Sequence, residues 1–576
     1  MNDDQVIDKL EDSFLDATRR QLETLSTILE RNGGVSYLQP YLRGYNAPVD
    51  AATFRSVVPL SCYDDYADHI SKLADGVLED DHGQPLLSVD PLLCFFYSSG
   101  TSSMKPKLIP CFDSKPGRAV SSLAHQGSAA ILKRSFPPTS SANKVLGFLY
   151  AGNVTYTKGG FMAMAATAFP LYSNNPNASR FLSGYVSPKE VFLGTDVNQQ
   201  MYCHLLCGLR HFDLIDGIRA PYAAGLIKAF ALLETHWKKL SEDLENGLPS
   251  LEVSDSAMRQ SVIEILGGPR PDLAERVRLI CEETSWGGIV GKLWPYARYV
   301  KSVATGSMVQ YYPKLKYYAG EIPMLGSDYF ASECCVAINL DIVQPPERTC
   351  YVILPTAAYF EFLPFDVERS CVKDEQTVDL SGLEVGKFFE LVVTTFRGLY
   401  RLRLGDIVKV VGFHHTSPQI EFVMRAPKSS AEIITEKDLL SAMGSFQLLL
   451  RDELPAEVLE FSSFMDLESA PKKLKIFIEV KDESTLLQND KFAESVDALR
   501  KCCSVLEDGL GGIYQVMKAR GEVGPLSVSI VKPGTFDGLL EEAIKKGAPA
   551  SQYKPPKIIR NSKLVDYLET SAVLSL

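Results

Sequence analysis

The sequence of 576 residues lacks the patterns of several common functional classes. No apolar run approaches the ~18 residues that a membrane-spanning helix needs, so we expect no membrane span. The twelve cysteines include no C-x-x-C pair and the eight histidines no H-E-x-x-H spacing, and we expect reduced thiols in a cytoplasmic protein. The net charge of −12 disfavours nonspecific binding to nucleic acid or to anionic membranes.

Two common phosphate-binding motifs, G-x-G-x-x-G and the Walker A loop, are also missing. A different segment has the composition of a phosphate-binding loop. The apolar run Leu92–Tyr97 predicts a short buried strand, and the residues that follow it are small, hydroxylated or glycine: Ser98, Ser99, Gly100, Thr101 and Ser102. The N–H groups of such a turn can form an anion nest. An ordinary turn has a similar composition, so this segment alone leaves both interpretations open.

The order of helical and strand-like segments predicts the organisation of the chain. Helices alternate with short apolar strands, which is typical of an α/β architecture; the first predicted helix covers residues 6–29. Residues 351–424 are rich in β-branched and aromatic residues and predict an antiparallel or barrel-like unit. Proline, serine and charge after Arg425 indicate a linker. We therefore predict a large domain over residues 1–427 and a small α+β domain over residues 428–576.

Three further segments contain candidate binding residues. Glu333, in residues 324–333, offers a carboxylate of the kind that holds Mg²⁺, although surface loops contain similar acids. Asp406 follows Gly405 after a predicted strand and can accept two hydrogen bonds from a ribose diol, although Gly-Asp turns are common. Lys554 lies on a loop of small residues before two prolines and can be presented to a distant site; an exposed lysine is the simpler alternative.

The order of these four segments resembles the adenylate-forming superfamily of luciferases and acyl-CoA synthetases. The chain is more similar to the plant branch of that superfamily, the Gretchen Hagen family of acyl-acid amido synthetases. The resemblance covers essentially the whole chain. Five further strings carry it: residues 202–209, 267–271, 305–308, 359–364 and 532–537.

The resemblance implies a two-step reaction with ATP and Mg²⁺. An acid carboxylate attacks the α-phosphate of ATP, which gives an acyl-adenylate and pyrophosphate. An amino acid amine then attacks the acyl carbon and releases AMP. The implied fold is a large N-terminal adenylating domain, with mixed sheets and a β-barrel-like part, and a smaller, mobile C-terminal α+β domain that turns about a hinge just after Arg425.

The resemblance also assigns roles to individual residues. Glu333 is expected to hold Mg²⁺, and Lys554 is expected to swing in and neutralise charge on the α-phosphate and the acyl oxygen. The implied nucleotide contacts are the loop residues Ser98, Ser99, Gly100, Thr101 and Ser102, the adenylate-contacting Tyr329 and Ser332, the ribose ligand Asp406, and Arg425.

Three residues depart from the family pattern, and one of them, Gln126, bears on the substrate. Met104 replaces a second loop glycine, Ala331 replaces a hydroxylated residue, and Gln126 replaces an arginine suited to the substrate carboxylate. We expect Gln126, Tyr222 and Cys335 to contact the acyl group. Jasmonate is the favoured acid, followed by indole-3-acetate or a benzoate.

Two alternative functions stay open at this point. One is an acyl-CoA ligase, which shares the first step; the other is a hormone-binding regulator derived from the enzyme without turnover. For the favoured enzyme we expect small-molecule partners, an acyl acid and an amino acid, no nucleic acid or membrane partner, and a monomeric chain.

Overall fold

The computed structural model describes most of the chain: residues 2–46, 48–98, 107–139, 143–172, 181–283, 285–367, 371–372, 376–427, 433–454, 456–481, 492–545 and 553–576. The predicted loop residues Ser99, Gly100, Thr101 and Ser102, as well as Met104, lie outside these ranges. No helix within them is long and apolar enough to cross a membrane.

Helices account for much of the described chain. The α-helices are α1 (Asp3–Leu15), α2 (Ala17–Asn32), α3 (Gln39–Leu42), α4 (Ala51–Val57), α5 (Ala67–Ala74), α6 (Lys115–Ser135), α7 (Phe169–Tyr172), α8 (Lys189–Leu193), α9 (Val197–Arg210), α10 (Ala223–Asn246), α11 (Ser256–Leu266), α12 (Pro271–Cys281), α13 (Ile289–Leu293), α14 (Tyr312–Ala319), α15 (Glu436–Glu453), α16 (Phe492–Asp508), α17 (Gly512–Ala519), α18 (Thr535–Lys545) and α19 (Ser562–Thr570). Short 3₁₀ segments are Tyr63–Tyr66, Ala166–Ala168, Gly306–Tyr311, Pro346–Arg348 and Leu380–Gly382.

The strands alternate with these helices. They are β1 (Leu92–Tyr97), β2 (Leu108–Phe112), β3 (Lys144–Gly147), β4 (Thr155–Tyr156), β5 (Met162–Ala165), β6 (Ile215–Tyr222), β7 (Tyr299–Val303), β8 (Met324–Gly326), β9 (Tyr329–Phe330), β10 (Cys335–Ile338), β11 (Cys350–Ile353), β12 (Tyr359–Asp366), β13 (Cys371–Val372), β14 (Phe388–Thr394), β15 (Leu402–His414), β16 (Ser417–Arg425), β17 (Val458–Asp466), β18 (Lys473–Val480), β19 (Ser527–Val531), β20 (Ile558–Ile559) and β21 (Ala572–Ser575).

Four sheets organise these strands. A mixed sheet has the order β2-β1-β5-β4, and a wholly parallel sheet has the order β3-β6-β7-β8. An antiparallel sheet of eight strands has the order β13-β12-β14-β15-β16-β11-β10-β9, and the last part of the chain forms the mixed sheet β20-β17-β18-β19-β21. The predicted α/β fold class is confirmed.

The first predicted helix, over residues 6–29, is wrong as a single element. Asp16 leaves the helical conformation, with φ −138° and ψ 68°, and separates α1 from α2. Its carboxylate accepts a hydrogen bond from the backbone N–H of Arg19 at 3.2 Å. Asp16 therefore caps the N-terminus of α2, because an aspartate oxygen satisfies an N–H group that has no partner within the helix.

The predicted end of a strand at Gly405 is also wrong. Gly405 and Asp406 both lie inside the single strand β15. Gly405 has φ +74°, a conformation that glycine adopts at little cost, so the strand changes direction without ending. Asp406 lies opposite Arg425 of the neighbouring strand β16.

The last part of the chain has a hydrophobic core of its own. One core cluster contains buried residues from Ile433 to Ile530 and another contains buried residues from Phe477 to Leu568; both draw only on residues after 432. This arrangement agrees with a separate small domain. The exact division at residue 427 stays a prediction, because residues 428–432 are not described.

Candidate active site

The parallel sheet β3-β6-β7-β8 provides one edge of the candidate site. Tyr222 at the carboxyl end of β6 lies opposite Val303 at the carboxyl end of β7. The segment after β7 leads to Thr305, whose hydroxyl lies 3.1 Å from the hydroxyl of Tyr351. The segment after β8 leads to Tyr329. Its ring packs against the ring of Tyr351, with the two ring centres 5.6 Å apart. Ligands of open α/β sheets bind beyond such carboxyl ends.

Asp406 is the central carboxylate of the site. It is 3% exposed, and its Oδ2 accepts a short hydrogen bond from the hydroxyl of Tyr329. Arg425 Nη1 lies 2.6 Å from Asp406 Oδ1 in an ion pair, yet no aligned hydrogen bond reaches Oδ1 from the described residues. Burial and the nearby charge of Asp406 raise the pKa of Tyr329, so its hydroxyl stays a donor. The site thus holds a buried carboxylate oxygen that can accept a further hydrogen bond.

A second set of contacts ties the segment around Ser332 to strand β1. Ser332 Oγ donates a hydrogen bond to the carbonyl oxygen of Tyr97 at 3.0 Å. Arg397 donates to the carbonyl oxygen of Ser332, and its guanidinium lies 4.8 Å from the centre of the Phe96 ring. The backbone N–H of Ser98 donates to the carbonyl oxygen of Lys107 at 2.9 Å, which brings together the two ends of the undescribed loop.

Glu333 follows Ser332 and fits a divalent cation. Burial is the main cause that raises the pKa of its carboxyl group, and the negative charge of Asp406 adds to it. Among the described residues, no lysine, arginine or histidine nitrogen is ion-paired with Glu333. A divalent cation would therefore compensate a carboxylate that has no ion-pair partner among the described residues, although the charges of Arg425 and Arg397 lie nearby.

Lys554 approaches the site from the small domain. Its Nζ lies 4.3 Å from the centre of the Tyr222 ring, so the structure brings together two residues predicted from different ends of the sequence. A lysine ammonium above an aromatic ring makes a cation–π contact. In the described part of the chain, no carboxylate forms an ion pair with Lys554.

The other predicted acyl contacts, Gln126 and Cys335, lie on different elements. Gln126 is exposed on α6, and its Nε2 donates to Ser122 Oγ on the same helix at 2.7 Å. Cys335 is buried in β10 opposite Phe330, and burial raises the pKa of its thiol to about 11. The ring of His125, beside Gln126, packs edge-on against Phe330 at 4.9 Å. Helix α6 therefore contacts this part of the sheet through His125.

A buried polar cluster next to Tyr329 was not predicted from the sequence. Asp328 accepts a hydrogen bond from Ser128 Oγ at 2.5 Å and lies 3.6 Å from Lys301 Nζ. Lys301 is 8% exposed in β7, and burial lowers its pKa. The sequence does contain a signal for this cluster. Lys301 lies in an apolar strand next to Val300, and a buried charge needs a partner. No role for Arg397 was predicted from the sequence either.

The cysteines agree with the expectation of reduced thiols. All twelve cysteines are free. Cys203, His204 and Cys207 are fully buried in the core. His204 Nδ1 is hydrogen-bonded to Ser187 Oγ at 2.7 Å. Among the described residues one possible metal-binding group was found, Glu11 with His414 and His415; it lies at the opposite end of β15 from Asp406 and is not part of this site.

Three family models match consecutive parts of the chain. They describe the GH3 family N-terminal domain, matched by residues 6–324, the central domain, matched by residues 351–425, and the C-terminal domain, matched by residues 437–563. The chain belongs to the GH3 family. This finding confirms the predicted family.

Relatives of this GH3 chain include plant enzymes with two kinds of named substrate. It is 50% identical over 406 residues to a probable indole-3-acetic acid-amido synthetase, GH3.6, of Oryza sativa subsp. japonica, covering 68% of this chain and 82% of the relative. It is 35% identical to the jasmonoyl–L-amino acid synthetase JAR6 of Nicotiana attenuata, covering 99% and 96%. The solved structure of a GH3.15 acyl acid amido synthetase matches with a TM-score of 0.85 and 31% identity, covering 99% and 96%. The predicted enzyme class, an amide-forming ligase, is confirmed.

Proposed function

We propose that this GH3 protein activates an organic acid with ATP and transfers the acyl group to an amino acid. In the first step a carboxylate oxygen bonds to the α-phosphorus, the bond from that phosphorus to the bridging oxygen breaks, and pyrophosphate leaves. In the second step the amine nitrogen bonds to the acyl carbon, the bond to the AMP oxygen breaks, and the amine loses a proton. Activation is needed because AMP is a far better leaving group than oxide.

The observation that carries this proposal is the approach of Lys554 to Tyr222 at the carboxyl edge of the parallel sheet. A cation in this position can stabilise negative charge as it builds on phosphoryl oxygens, and charge placed there in advance lowers the barrier of a transfer reaction. Asp406 supports the proposed binding of ATP. Its buried Oδ1 still lacks a hydrogen-bond donor among the described residues. A ribose hydroxyl is a donor of the required kind.

Glu333 would hold Mg²⁺ when the metal is bound. The metal would supply positive charge to the phosphate oxygens. Residues of the chain supply the positioning: Arg397 and Tyr97 fix Ser332 beside Glu333. The loop residues Ser99, Gly100, Thr101 and Ser102 stay predicted phosphate contacts.

Jasmonate is the favoured acid, ahead of indole-3-acetate or a benzoate. Cysteine at position 335 has a small side chain, and Phe330 opposite it and His125 supply aromatic surface. Relatives named for jasmonate and for indole-3-acetate resemble this chain, so both acids belong in the assay. We propose that the protein acts in the cytoplasm and as a monomer.

The test is ATP–pyrophosphate exchange by the purified full-length chain with Mg²⁺ and each acid in turn: jasmonic acid, indole-3-acetic acid, indole-butyric acid, salicylate and substituted benzoates. We expect acid-dependent exchange that falls roughly 10²–10³-fold in Lys554→Ala. Lys563→Ala, which removes an exposed lysine of the same domain, should keep the wild-type rate. Protein that binds ATP but shows no exchange with any acid would contradict the proposal, as would full exchange in Lys554→Ala.

The second step is tested by offering amino acids and coenzyme A as acceptors of the acyl group. Incubation with the active acid and ATP should give an amide with at least one amino acid and no thioester with coenzyme A. Formation of the thioester instead would identify the chain as an acyl-CoA ligase.

A further inference from the structure

A buried ion pair lies three residues after Lys554. Lys557 is 2% exposed and contacts Glu460, which is 7% exposed, on strand β17. The backbone around Lys557 is held by the same strand, because Ser463 N–H donates to the carbonyl oxygen of Lys557 at 2.8 Å. Ser462 Oγ donates to the carbonyl oxygen of Pro556 at 2.5 Å. The segment that carries Lys554 is therefore anchored at Pro556 and Lys557.

The carboxylate of Glu460 also contacts the large domain. The hydroxyl of Tyr311 donates a short hydrogen bond to Glu460 Oε2, and Gln310 Nε2 lies 3.4 Å from Oε1. Tyr311 is 8% exposed and ends the 3₁₀ segment that begins at Gly306, directly after the carboxyl end of β7. One buried carboxylate thus joins the segment of Lys554 to the sheet edge on which the site is built.

Two ion pairs between the two domains are more exposed than the hydrogen bond of Tyr311 with Glu460. Lys314 and Glu457 lie 3.4 Å apart with side chains 33% and 31% exposed. Lys228 pairs with Asp537, and these side chains are 37% and 67% exposed. Exposed pairs contribute little because water and salt screen them, so the contact at Glu460 is the one of these three that can fix the docked position.

We propose that Glu460 and Lys557, docked by Tyr311, are positioning residues that hold Lys554 in the active site. This inference rests on the proposed function. Its physical basis is a short, stiff connection: Pro555 and Pro556 separate Lys554 from Lys557, and proline fixes the backbone dihedral φ. Fixing Lys557 against Glu460 therefore restricts where the backbone of Lys554 lies, and Tyr311 fixes Glu460 against the large domain.

The most selective variant is Tyr311→Phe, which removes one hydroxyl and leaves the pair of Glu460 and Lys557 inside the small domain. Tyr514→Phe is a matched control. Tyr514 is also buried, and its hydroxyl donates to Glu507 at 2.9 Å, but both residues belong to the small domain. Tyr311→Phe should slow ATP–pyrophosphate exchange at saturating ATP about tenfold, with little change in the KM for ATP, and Tyr514→Phe should not.

Combining Tyr311→Phe with Lys554→Ala separates positioning from a general structural role. If Tyr311 acts through Lys554, the double variant should exchange at the rate of Lys554→Ala alone. A tenfold slowing by Tyr311→Phe in both backgrounds, or a change of less than twofold in the wild-type background, would overturn the proposal.

Hydrogen–deuterium exchange gives a readout that does not need activity. Backbone amides in residues 553–559 should exchange faster in Tyr311→Phe than in the wild type and in Tyr514→Phe, because the docked segment opens more often. Unchanged protection there would overturn the positioning role. A wild-type chain that shows no pyrophosphate exchange would refute the proposed function, and the amide exchange result would then decide the positioning role by itself.

Discussion

Replacing Glu361 by glutamine is expected to destabilise the large domain by about 3–5 kcal/mol, the range for breaking a buried ion pair by removing one partner. Glu361 is fully buried and Arg401 is 6% exposed. Arg401 Nε and Nη2 donate to the two Glu361 oxygens at 3.0 and 2.8 Å. Its remaining contacts are the carbonyl oxygens of Arg55 and Val58 and the hydroxyl of Thr377. All three guanidinium nitrogens are therefore bonded, and glutamine would leave the charge without a counter-ion.

The expected change in melting temperature follows from the size of the large domain. In the large domain, the last residue matched by a family model is residue 425. At about 2.1 cal/mol/K per residue, unfolding such a domain as one unit carries an entropy of about 0.9 kcal/mol/K. A loss of 3–5 kcal/mol then corresponds to a decrease of about 3–6 °C.

Thermal unfolding followed by circular dichroism measures this decrease. Asp272→Asn is the matched control, because Arg270 and Asp272 form a two-bond ion pair at 2.8 and 2.7 Å on the surface and should matter much less. Glu361→Leu combined with Arg401→Met should regain part of the lost stability. A decrease below 1 °C for Glu361→Gln, or one equal to that of the control, would refute the reasoning.

Two further predictions concern the site and the core. Arg397→Lys should lower kcat/KM for ATP in the exchange assay about tenfold, because lysine lacks the planar group that stacks on Phe96 while bonding the Ser332 carbonyl; an unchanged value would contradict this role. Burial lowers the pKa of His204 from 6.5 to about 3, so the unfolded chain binds a proton that the folded chain excludes, and stability falls as the pH drops below 6.5. Between pH 7 and pH 5 the wild type should lose about 2 kcal/mol more than His204→Gln in denaturant titrations, and equal losses would count against a neutral buried histidine.

Local sequence patterns predicted the elements that depend on neighbouring residues. The apolar run of strand β1 has the bounds Leu92–Tyr97 that its composition indicates. Most of residues 6–29 is helical as predicted, although Asp16 divides the helix into α1 and α2. These elements follow from hydrophobic periodicity, which is a property of the local sequence.

Contacts between distant residues could not be predicted in this way. Asp406 was predicted as a ribose ligand that follows the end of a strand, whereas it lies inside β15 and is paired with Arg425 at the end of the neighbouring strand β16. Tyr311 and Glu460 are 149 positions apart, and no spacing rule joins them. Residue type and position, together with the family resemblance, made Lys554, Asp406 and Glu333 candidates, but the pairing of charges around them comes only from the structure.

The pairing of charges bears on which cation the proposed reaction can use. Arg425 is already ion-paired with Asp406, and Lys301 with Asp328. Lys554 rests on the Tyr222 ring instead, and no described carboxylate is ion-paired with it. A cation–π contact is weaker than a buried ion pair, so the charge of Lys554 can move to a phosphoryl oxygen at low cost. Because this lysine belongs to the small domain, the proposed activation of the acid depends on the docking of that domain, which is why the contact of Tyr311 with Glu460 should control the rate.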